Sequence, residues 1–236
     1  MMFNRLVVNG DSYTNSYTVG GGHQDLSTQL GIAESVSLTL PGSCNSRIIR
    51  TTLKDSYITE EPTLYVVGLS FLHRNELPVS RDDDFEGRWL SFQVELNPEK
   101  IDNYFWSGSD SKRAVECFSK LAPYALKDQL EQLMFSIRAM VSDLHQRNHQ
   151  VVIFRQPPET YADLNILGEE RFKFLKNCVN IVDGLKWSSL EFLADYDITY
   201  KPEDSHLPKT IRHPSPGEHQ HLNKFLVEYI RKHNLL

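Results

Sequence analysis

The sequence predicts an α/β domain in which helices cover both faces of a central parallel sheet. Short apolar runs alternate with segments of helical periodicity along most of the chain, as expected for parallel strands joined by crossover helices. The run "TLYVVGL", Thr63–Leu69, is almost continuously apolar and follows Pro62, which is typical of a central strand buried on both faces. The chain of 236 residues is long enough for a sizeable core, and we expect residues 1–236 to form one domain.

Three more segments are predicted to be strands of this sheet. Arg5–Val8 has the apolar character of a buried strand, and Ser35–Leu40 alternates before a stop at Pro41-Gly42. Val151–Phe154 is a further short apolar run, which Pro157-Pro158 ends.

Four segments have helical signals. A helix near Asp25–Leu30 is closed by Gly31, and Asn45–Leu53 has the pattern of a short helix. The longest predicted helix and the last one are both indicated by apolar residues spaced three and four positions apart. These residues are Leu126, Leu130, Leu133, Ile137, Val141 and Leu144 for the long helix, and Leu222, Phe225, Leu226 and Ile230 for the last.

Residues 77–111 do not fit this alternation. The segment is acidic and aromatic, lacks helical periodicity and is longer than a usual connection. One interpretation is a solvated insertion with a small hairpin around Leu90–Val94. The other is a substrate lid or partner surface that uses Trp89, Tyr104, Phe105 and Trp106.

Composition excludes several classes of protein. The formal net charge of −6 argues against broad binding to nucleic acid or anionic membranes, and we expect neither as a partner. No segment approaches the roughly 18 consecutive apolar residues of a membrane span, and Asn9-Gly10-Asp11 interrupts any secretion signal. The three cysteines, Cys44, Cys117 and Cys178, are too scattered for a disulfide framework, so we expect reduced thiols and a cytoplasmic location.

The first predicted strand runs directly into Gly10-Asp11-Ser12. No Gly-Lys-Ser/Thr follows Gly10 or the run Gly20 to Gly22, so a phosphate-binding loop is discounted. In a parallel sheet, a serine on a tight turn after a strand has its hydroxyl in the crevice where ligands bind. If a helical turn follows, free backbone N–H groups favour a developing anion there. Ser12 is therefore a candidate nucleophile, although Gly-Asp-Ser is also common in ordinary turns with a capping serine.

A nucleophilic serine needs a base, and the chain has nine histidines. His213, in "RHPSPGEHQHL", is followed by Pro214, which holds its backbone extended, and a helix is predicted just beyond it. The second strand ends at Pro41-Gly42-Ser43, where Gly42 offers a backbone N–H and Asn45 a side-chain amide to an oxyanion. Gly42 can equally serve only as a turn residue, and Asn45 as a helix cap.

These residues resemble the sequence blocks of the SGNH (GDSL-like) hydrolases. "VVNGDSYT" is similar to the first block, "LPGSCNSRI" to the second and "RHPSPGEHQHL" to the fifth. The resemblance implies a three-layer α/β/α, flavodoxin-like fold and ester hydrolysis through an acyl-serine. It also implies that Ser12 is the nucleophile, His213 the base and Gly42 part of the oxyanion hole.

The chain departs from this family pattern at two positions. The third block normally supplies an asparagine to the oxyanion, but "VVGLSFLHRNE" has Ser70 there, so that Ser70 or Asn45 would have to donate instead. The fifth block normally has an aspartate three residues before the histidine, where this chain has Thr210. Asp204 is the candidate third member of the triad; without it the site would be a Ser–His dyad.

Two other functions compete with the hydrolase. Asp204, His206, His213, His219 and His221 have spacings that can chelate a metal, but His219 and His221 diverge if they lie in one helix. The alternative function is a catalytically impaired binding module of the same fold, which holds a sugar or protein ligand.

The sequence therefore predicts a serine esterase that needs no metal or other cofactor. Its substrate is expected to be a small ester or an acylated carbohydrate, and its oligomeric state is left open. Gly20 to Gly22 are either a flap over the crevice or a flexible loop, and Arg74 and Glu76 either an ion pair in the crevice or a solvated one.

Overall fold

A computed structural model describes residues 3–11, 14, 22–40, 43–70, 74–78, 89–93, 131–155 and 216–236. Within these ranges a four-stranded sheet has the order β2-β1-β3-β6, and every pairing is parallel. Its strands are β1 (Arg5–Asn9), β2 (Glu34–Ser37), β3 (Thr63–Leu69) and β6 (Gln150–Arg155). Strands β4 (Arg74–Pro78) and β5 (Trp89–Gln93) form a separate antiparallel pair.

Helices connect and cover the sheet. They are α1 (Gly22–Leu30), α2 (Asn45–Ile58), α3 (residues 131–146 in the described part) and α4 (Pro216–Lys232). Among the described helices, none combines the length and the apolar character that crossing a bilayer requires.

Alternate residues of each central strand enter two separate cores. Leu6 and Val8 pack with α1 and α4, whereas Val7 packs with α2 and α3. The same alternation divides β3, where Leu64 and Val66 face the first core and Tyr65 and Val67 the second. Each fully buried large side chain contributes roughly 1.5–3 kcal/mol of burial free energy. The predicted three-layer α/β/α fold is therefore confirmed.

The described elements agree with the predicted ones in position, and some differ in length. Strand β3 has the predicted bounds, and Gly31, at a φ of +73°, ends α1 as expected. Strand β2 is shorter than predicted and ends at Ser37, although the backbone bonds from Leu38 N to Val8 O and from Leu40 N to Gly10 O continue its contact with the segment that contains β1. Helix α2 is longer than predicted and runs to Ile58.

The expected hairpin of the 77–111 segment is present in part. One strand of the antiparallel pair, β5, covers the predicted region, but its partner β4 begins before the segment, at Arg74. The candidate lid residues Tyr104, Phe105 and Trp106 lie outside the described residues.

The end of the sheet at which the strands begin, which we call the amino edge, holds a buried ionic cluster. The Arg5 guanidinium donates to both carboxylate oxygens of Asp55, at 2.7 and 2.9 Å, and the Tyr65 hydroxyl donates to the same carboxylate at 2.7 Å. Glu34 also accepts a bond from Arg5, at 3.2 Å. Arg5, Glu34, Asp55 and Tyr65 are called the amino-edge cluster below.

The electrostatics of the amino-edge cluster follow from these bonds. Burial by itself raises the pKa of Asp55, but hydrogen bonds from Arg5 and Tyr65 outweigh burial and hold this pKa below its ordinary value. Burial, together with the bond to Asp55, raises the pKa of the Tyr65 hydroxyl well above its ordinary value. Asp55 is therefore an anion and Tyr65 a neutral donor at neutral pH, and the cluster stabilises the contact between α2 and the sheet.

Candidate functional site

The opposite end of the sheet, which we call the carboxyl edge, begins where β1 ends at Asn9. The Asn9 amide is buried and donates at 2.9 Å to the Ile48 carbonyl and to the hydroxyls of Thr51 and Thr52 on α2. Its oxygen accepts the Gly10 N–H at 2.9 Å. The last residue of β1 is thus fastened to α2, which fixes the point where the Gly-Asp-Ser turn starts.

Gly10 is required because another side chain occupies the space that a Cβ atom would need. A Cβ placed on Gly10 would lie 2.1 Å from Thr14 Oγ1 and 2.6 Å from Thr14 Cβ. Any larger residue would have to displace the Thr14 side chain. The absence of a side chain at Gly10 therefore permits Thr14 to pack directly against the backbone just after β1.

A chain of buried polar contacts links Asp11 to the neighbouring elements. The Ser70 hydroxyl, which follows β3, donates to Asp11 Oδ2 at 2.7 Å. The Asn45 side chain binds the Ser70 backbone twice, accepting from its N–H at 2.8 Å and donating to its carbonyl at 3.0 Å. Asp11 and Ser70 are fully buried, and Asn45 nearly so. Asn9, Asp11, Asn45 and Ser70 are called the carboxyl-edge cluster.

The chain approaches α2 through a closed turn. Ser43 N and Oγ both donate to the Leu40 carbonyl, at 3.1 and 2.7 Å, and Arg47 Nη1 donates to Ser43 Oγ at 3.0 Å. Cys44 stands at the N-cap of α2 and makes no side-chain cap bond, so that Asn45 is the first helical residue and not the cap. Burial raises the pKa of the Cys44 thiol to about 11, which makes it a poor nucleophile.

Glu76 forms an ion pair with helix α2. Arg50 of α2 binds the carboxylate through both terminal nitrogens, with Nη2 at 3.2 Å from Oε2, and only 3% of the Glu76 side chain is exposed. Burial lowers the pKa of the nearby Arg47, and the charge of Glu76 partly offsets this effect. Glu76 on β4 thus anchors α2 through Arg50, and its carboxylate is buried in this pair. The expected pairing with Arg74 stays a prediction, since the Arg74 side chain lies outside the described part of the structure.

The predicted site residues divide between the described and the remaining parts of the chain. Asn45 and Ser70 are described and lie in contact at the carboxyl edge. Ser12, Gly42, Asp204 and His213 lie outside the described residues, as does the run Gly20 to Gly21. Asp11 and Ser43 are the described residues next to Ser12 and Gly42 in the sequence.

Three hydrogen bonds fix the direction of α4. Asn223 is buried and donates to the Gly22 carbonyl at 3.1 Å and to the Asp25 carboxylate at 2.6 Å, both in the first turn of α1. Arg231 donates to the carbonyl of Gln29, near the end of α1, at 2.7 Å. The two helices therefore run parallel to each other.

The direction of α1 is known from its connection to the sheet. Gly31 closes α1 and leads to Glu34, which pairs with Arg5 at the amino edge. The first turn of α1 consequently lies toward the carboxyl edge, and so does the amino end of α4. Pro216 precedes Asn223 by seven residues, which corresponds to roughly 10 Å of helix directed to that edge.

The described residues contain no group of three His, Cys, Asp or Glu side chains arranged to hold a metal. His219 and His221 are both within α4.

The sequence reasoning missed Asp11 and Asn223. Asp11 is a charged residue that follows, after Gly10, a strand whose residues are all buried, and this position is itself a signal. Asn223 is spaced three, four and seven residues from Leu226, Val227 and Ile230, which are buried on one face of α4. A polar residue on an apolar helical face indicates a buried hydrogen bond.

Comparisons with known proteins agree with the architecture. No protein-family model matches the chain, and no curated protein matches it. A solved structure of a protein assigned to the G-D-S-L family of lipolytic proteins, from Desulfitobacterium hafniense DCB-2, is similar with a TM-score of 0.51 and 13% identity. The similarity covers 95% of this chain and 98% of that one.

Two further solved structures are similar at lower scores. One is assigned as an acylhydrolase of Bacteroides fragilis NCTC 9343, with a TM-score of 0.48, 11% identity and coverage of 97% and 87% of the two chains. The other is TesA, with a TM-score of 0.48, 14% identity and coverage of 97% and 98%. At these identities we take from the comparison with the Desulfitobacterium protein only that this chain has the same α/β/α fold.

Proposed function

We propose that this chain is a serine acyl hydrolase of the SGNH (GDSL-like) type, with Ser12 as nucleophile and His213 as base. The single observation that supports it most strongly is the direction of α4, fixed by Asn223 and Arg231 against α1. His213 precedes α4 by three residues, which span at most roughly 11 Å. Ser12 directly follows Asp11 at the carboxyl edge, toward which the amino end of α4 points.

The proposed reaction has two steps. Ser12 Oγ attacks the acyl carbonyl while His213 takes the hydroxyl proton, and the proton passes to the leaving alcohol as the C–O bond breaks. Water, deprotonated by His213, then attacks the acyl-serine and releases the acid and free Ser12. Asp204 is proposed to orient His213, as the third member of the triad.

The oxyanion is proposed to be held by the backbone N–H groups of Ser12 and Gly42. Leu40 and Ser43, the described residues on either side of Gly42 in the sequence, support this role, since Ser43 N and Oγ donate to the Leu40 carbonyl and Arg47 binds Ser43 Oγ. Asn45 Nδ2 has a second N–H besides the one given to the Ser70 carbonyl, and this N–H is proposed as an auxiliary donor.

The proposed substrate is a small ester or an acylated carbohydrate, and no cofactor takes part. A binding module of the same fold is the second candidate. It is favoured by the Ser70 hydroxyl, which donates to Asp11 at a position where the resembling family has an asparagine for the oxyanion. The two candidates share a cleft and differ in whether bonds are broken in it.

Hydrolysis of p-nitrophenyl acetate and butyrate tests the proposal. We expect turnover by the wild type that survives a chelator, and a loss of at least ~10³-fold in kcat for Ser12→Ala and for His213→Ala. Asp204→Ala should lose less, since a dyad retains activity. If the wild type and Ser12→Ala both hydrolysed the esters only at the uncatalysed background rate, the hydrolase would be rejected in favour of the binding module. Loss of the wild-type activity on addition of a chelator would indicate a metal enzyme.

A further inference from the structure

We infer that Ser70 is a positioning residue, which holds the Ser12 turn through Asp11 and does not donate to the oxyanion. This inference deepens the proposed function and rests on it. Ser70 stands where the family that the chain resembles has an asparagine, and the inference gives this serine a different role from that asparagine.

The first argument is that the Ser70 hydroxyl already donates its hydrogen bond to another residue. A serine has one O–H hydrogen, and here Ser70 Oγ lies 2.7 Å from Asp11 Oδ2 with both residues fully buried. A hydrogen bond to a carboxylate is stronger than one between neutral groups. To serve an oxyanion, Ser70 would have to break this bond and deprive the buried Asp11 carboxylate of the hydrogen bond that Ser70 donates to it.

The second argument is the rigidity of the support. Ser70 follows the last residue of β3, and Asn45, the first residue of α2, holds both its N–H and its carbonyl. These two bonds fix the backbone of Ser70 against a helix that is itself fastened to Asn9. A side chain supported in this way has little freedom to change partners, and it is well suited to hold another residue in place.

The third argument is the place of Asp11 in the chain. In the sequence, Asp11 lies between Gly10, against which the Thr14 side chain packs closely, and Ser12. A hydrogen bond on Asp11 therefore controls the direction in which the next residue leaves the sheet. A nucleophile misplaced by about 1 Å loses on the order of 100-fold in rate.

A double-mutant cycle between Ser70 and Asp11 tests the inference in the full-length chain. We expect Ser70→Ala and Asp11→Ala each to lower kcat for p-nitrophenyl butyrate by about 10- to 100-fold, with little change in KM. The double variant should be no slower than the slower single one, because both substitutions remove the same contact. Asp11→Asn, which keeps an acceptor for the hydroxyl, should retain most of the activity and serves if Asp11→Ala does not fold.

The outcomes separate the possibilities. If Ser70 donated to the oxyanion, the losses in kcat of the two single variants would multiply in the double variant, and this result would overturn the positioning role. A Ser70→Ala variant with the wild-type kcat would overturn it as well. Thermal unfolding, measured by circular dichroism, separates loss of fold from loss of rate. If Ser70 had a purely structural role, Ser70→Ala would lower the melting temperature and leave the kcat of the folded fraction unchanged. That result would also contradict the inference. A wild type without any turnover would instead reject the proposed function on which the inference rests.

Discussion

Two buried polar clusters lie at opposite edges of the same sheet, and helix α2 contributes to both. Asn45 joins the carboxyl-edge cluster and Asp55 the amino-edge cluster, ten residues later, which is roughly 15 Å along the helix. Apart from the exposed Glu34 side chain, the residues of both clusters are buried, and all are hydrogen-bonded. Burial and hydrogen bonding alone therefore do not identify the functional site of this protein.

The two clusters differ in what they connect. The amino-edge cluster pairs the Asp55 carboxylate with a guanidinium and a tyrosine hydroxyl, and it ties helix to strand. The carboxyl-edge cluster joins the ends of β1 and β3 and the start of α2, at the edge where parallel sheets bind ligands. We infer that the first determines stability and the second determines activity, and the following predictions test this division.

The largest expected effect is on stability at the amino edge. Arg5→Met removes the partner of a buried carboxylate and should lower the free energy of unfolding by about 3–5 kcal/mol, since Asp55 is left buried and unpaired. Urea unfolding measures the loss, and kcat of the folded enzyme should not change. Arg147→Met, which breaks the more exposed pair with Asp143, is the matched control and should cost much less. A large fall in kcat for Arg5→Met would contradict the division.

Gly10→Ala should affect both stability and rate. The added Cβ collides with Thr14, which costs about 1–3 kcal/mol and displaces the turn that carries Ser12. Esterase assays and urea unfolding on the same samples measure both effects. Thr14→Ala added to Gly10→Ala should restore part of the loss, because it removes the closest atom.

Gly31→Ala is the matched control for Gly10→Ala. Gly31 has open space around it and a φ of +73°, so alanine costs backbone strain without a collision. We expect destabilisation by about 1 kcal/mol with an unchanged kcat, since the residue lies at the amino edge. Equal rate losses at Gly10 and Gly31 would show that the two edges do not differ.

Asn223→Asp should lower the rate more than the stability. It places a second carboxylate against Asp25, which accepts from Asn223 at 2.6 Å, and the repulsion should move the amino end of α4. We expect kcat to fall by about tenfold with a loss of roughly 1–2 kcal/mol in stability. The swapped pair Asn223→Asp with Asp25→Asn should recover most of the rate. Arg231→Ala, at the far end of the same helix pair, should leave kcat unchanged.

The smallest effect concerns the pH dependence of stability. Burial lowers the pKa of His149, whose Nδ1 accepts the Thr63 N–H at the amino edge at 3.2 Å. Because the folded pKa is below the unfolded value of about 6.5, the stabilisation is complete above that pH and is lost as the pH falls. Urea midpoints between pH 7.5 and 5 should therefore fall less in His149→Asn than in the wild type. As the control, replacement of the exposed His145 by Asn should leave the fall of the urea midpoint with pH as steep as in the wild type. An equally steep fall in His149→Asn would refute the assignment of this pH dependence to His149.

The fold was largely predictable because local patterns carry it. The continuous apolar run of β3 gave its bounds, and Gly31 marked the end of α1. Helix α2 was predicted too short, since Asp55 and Ser56 resemble the polar end of a helix. Asp55 instead turns inward to Arg5, a partner fifty residues away that no local pattern reveals.

The candidate site was predictable only in part. The positions of Asn45 and Ser70 near the carboxyl edge followed from where the strands end, but their hydrogen bonds to each other did not. Glu76 was considered only with Arg74, which is close to it in sequence, and its bond to Arg50 on α2 was not predicted. Contacts between distant segments depend on register and helix direction, which residue types alone do not specify.

The most direct test of the central claim is to find where a fluorophosphonate reacts with the intact protein. Peptide mapping by mass spectrometry should locate one adduct on Ser12, and labelling should disappear in Ser12→Ala and slow strongly in His213→Ala. An unmodified wild-type chain, or an adduct on another residue that persists in Ser12→Ala, would contradict the assignment of the active site to the carboxyl edge.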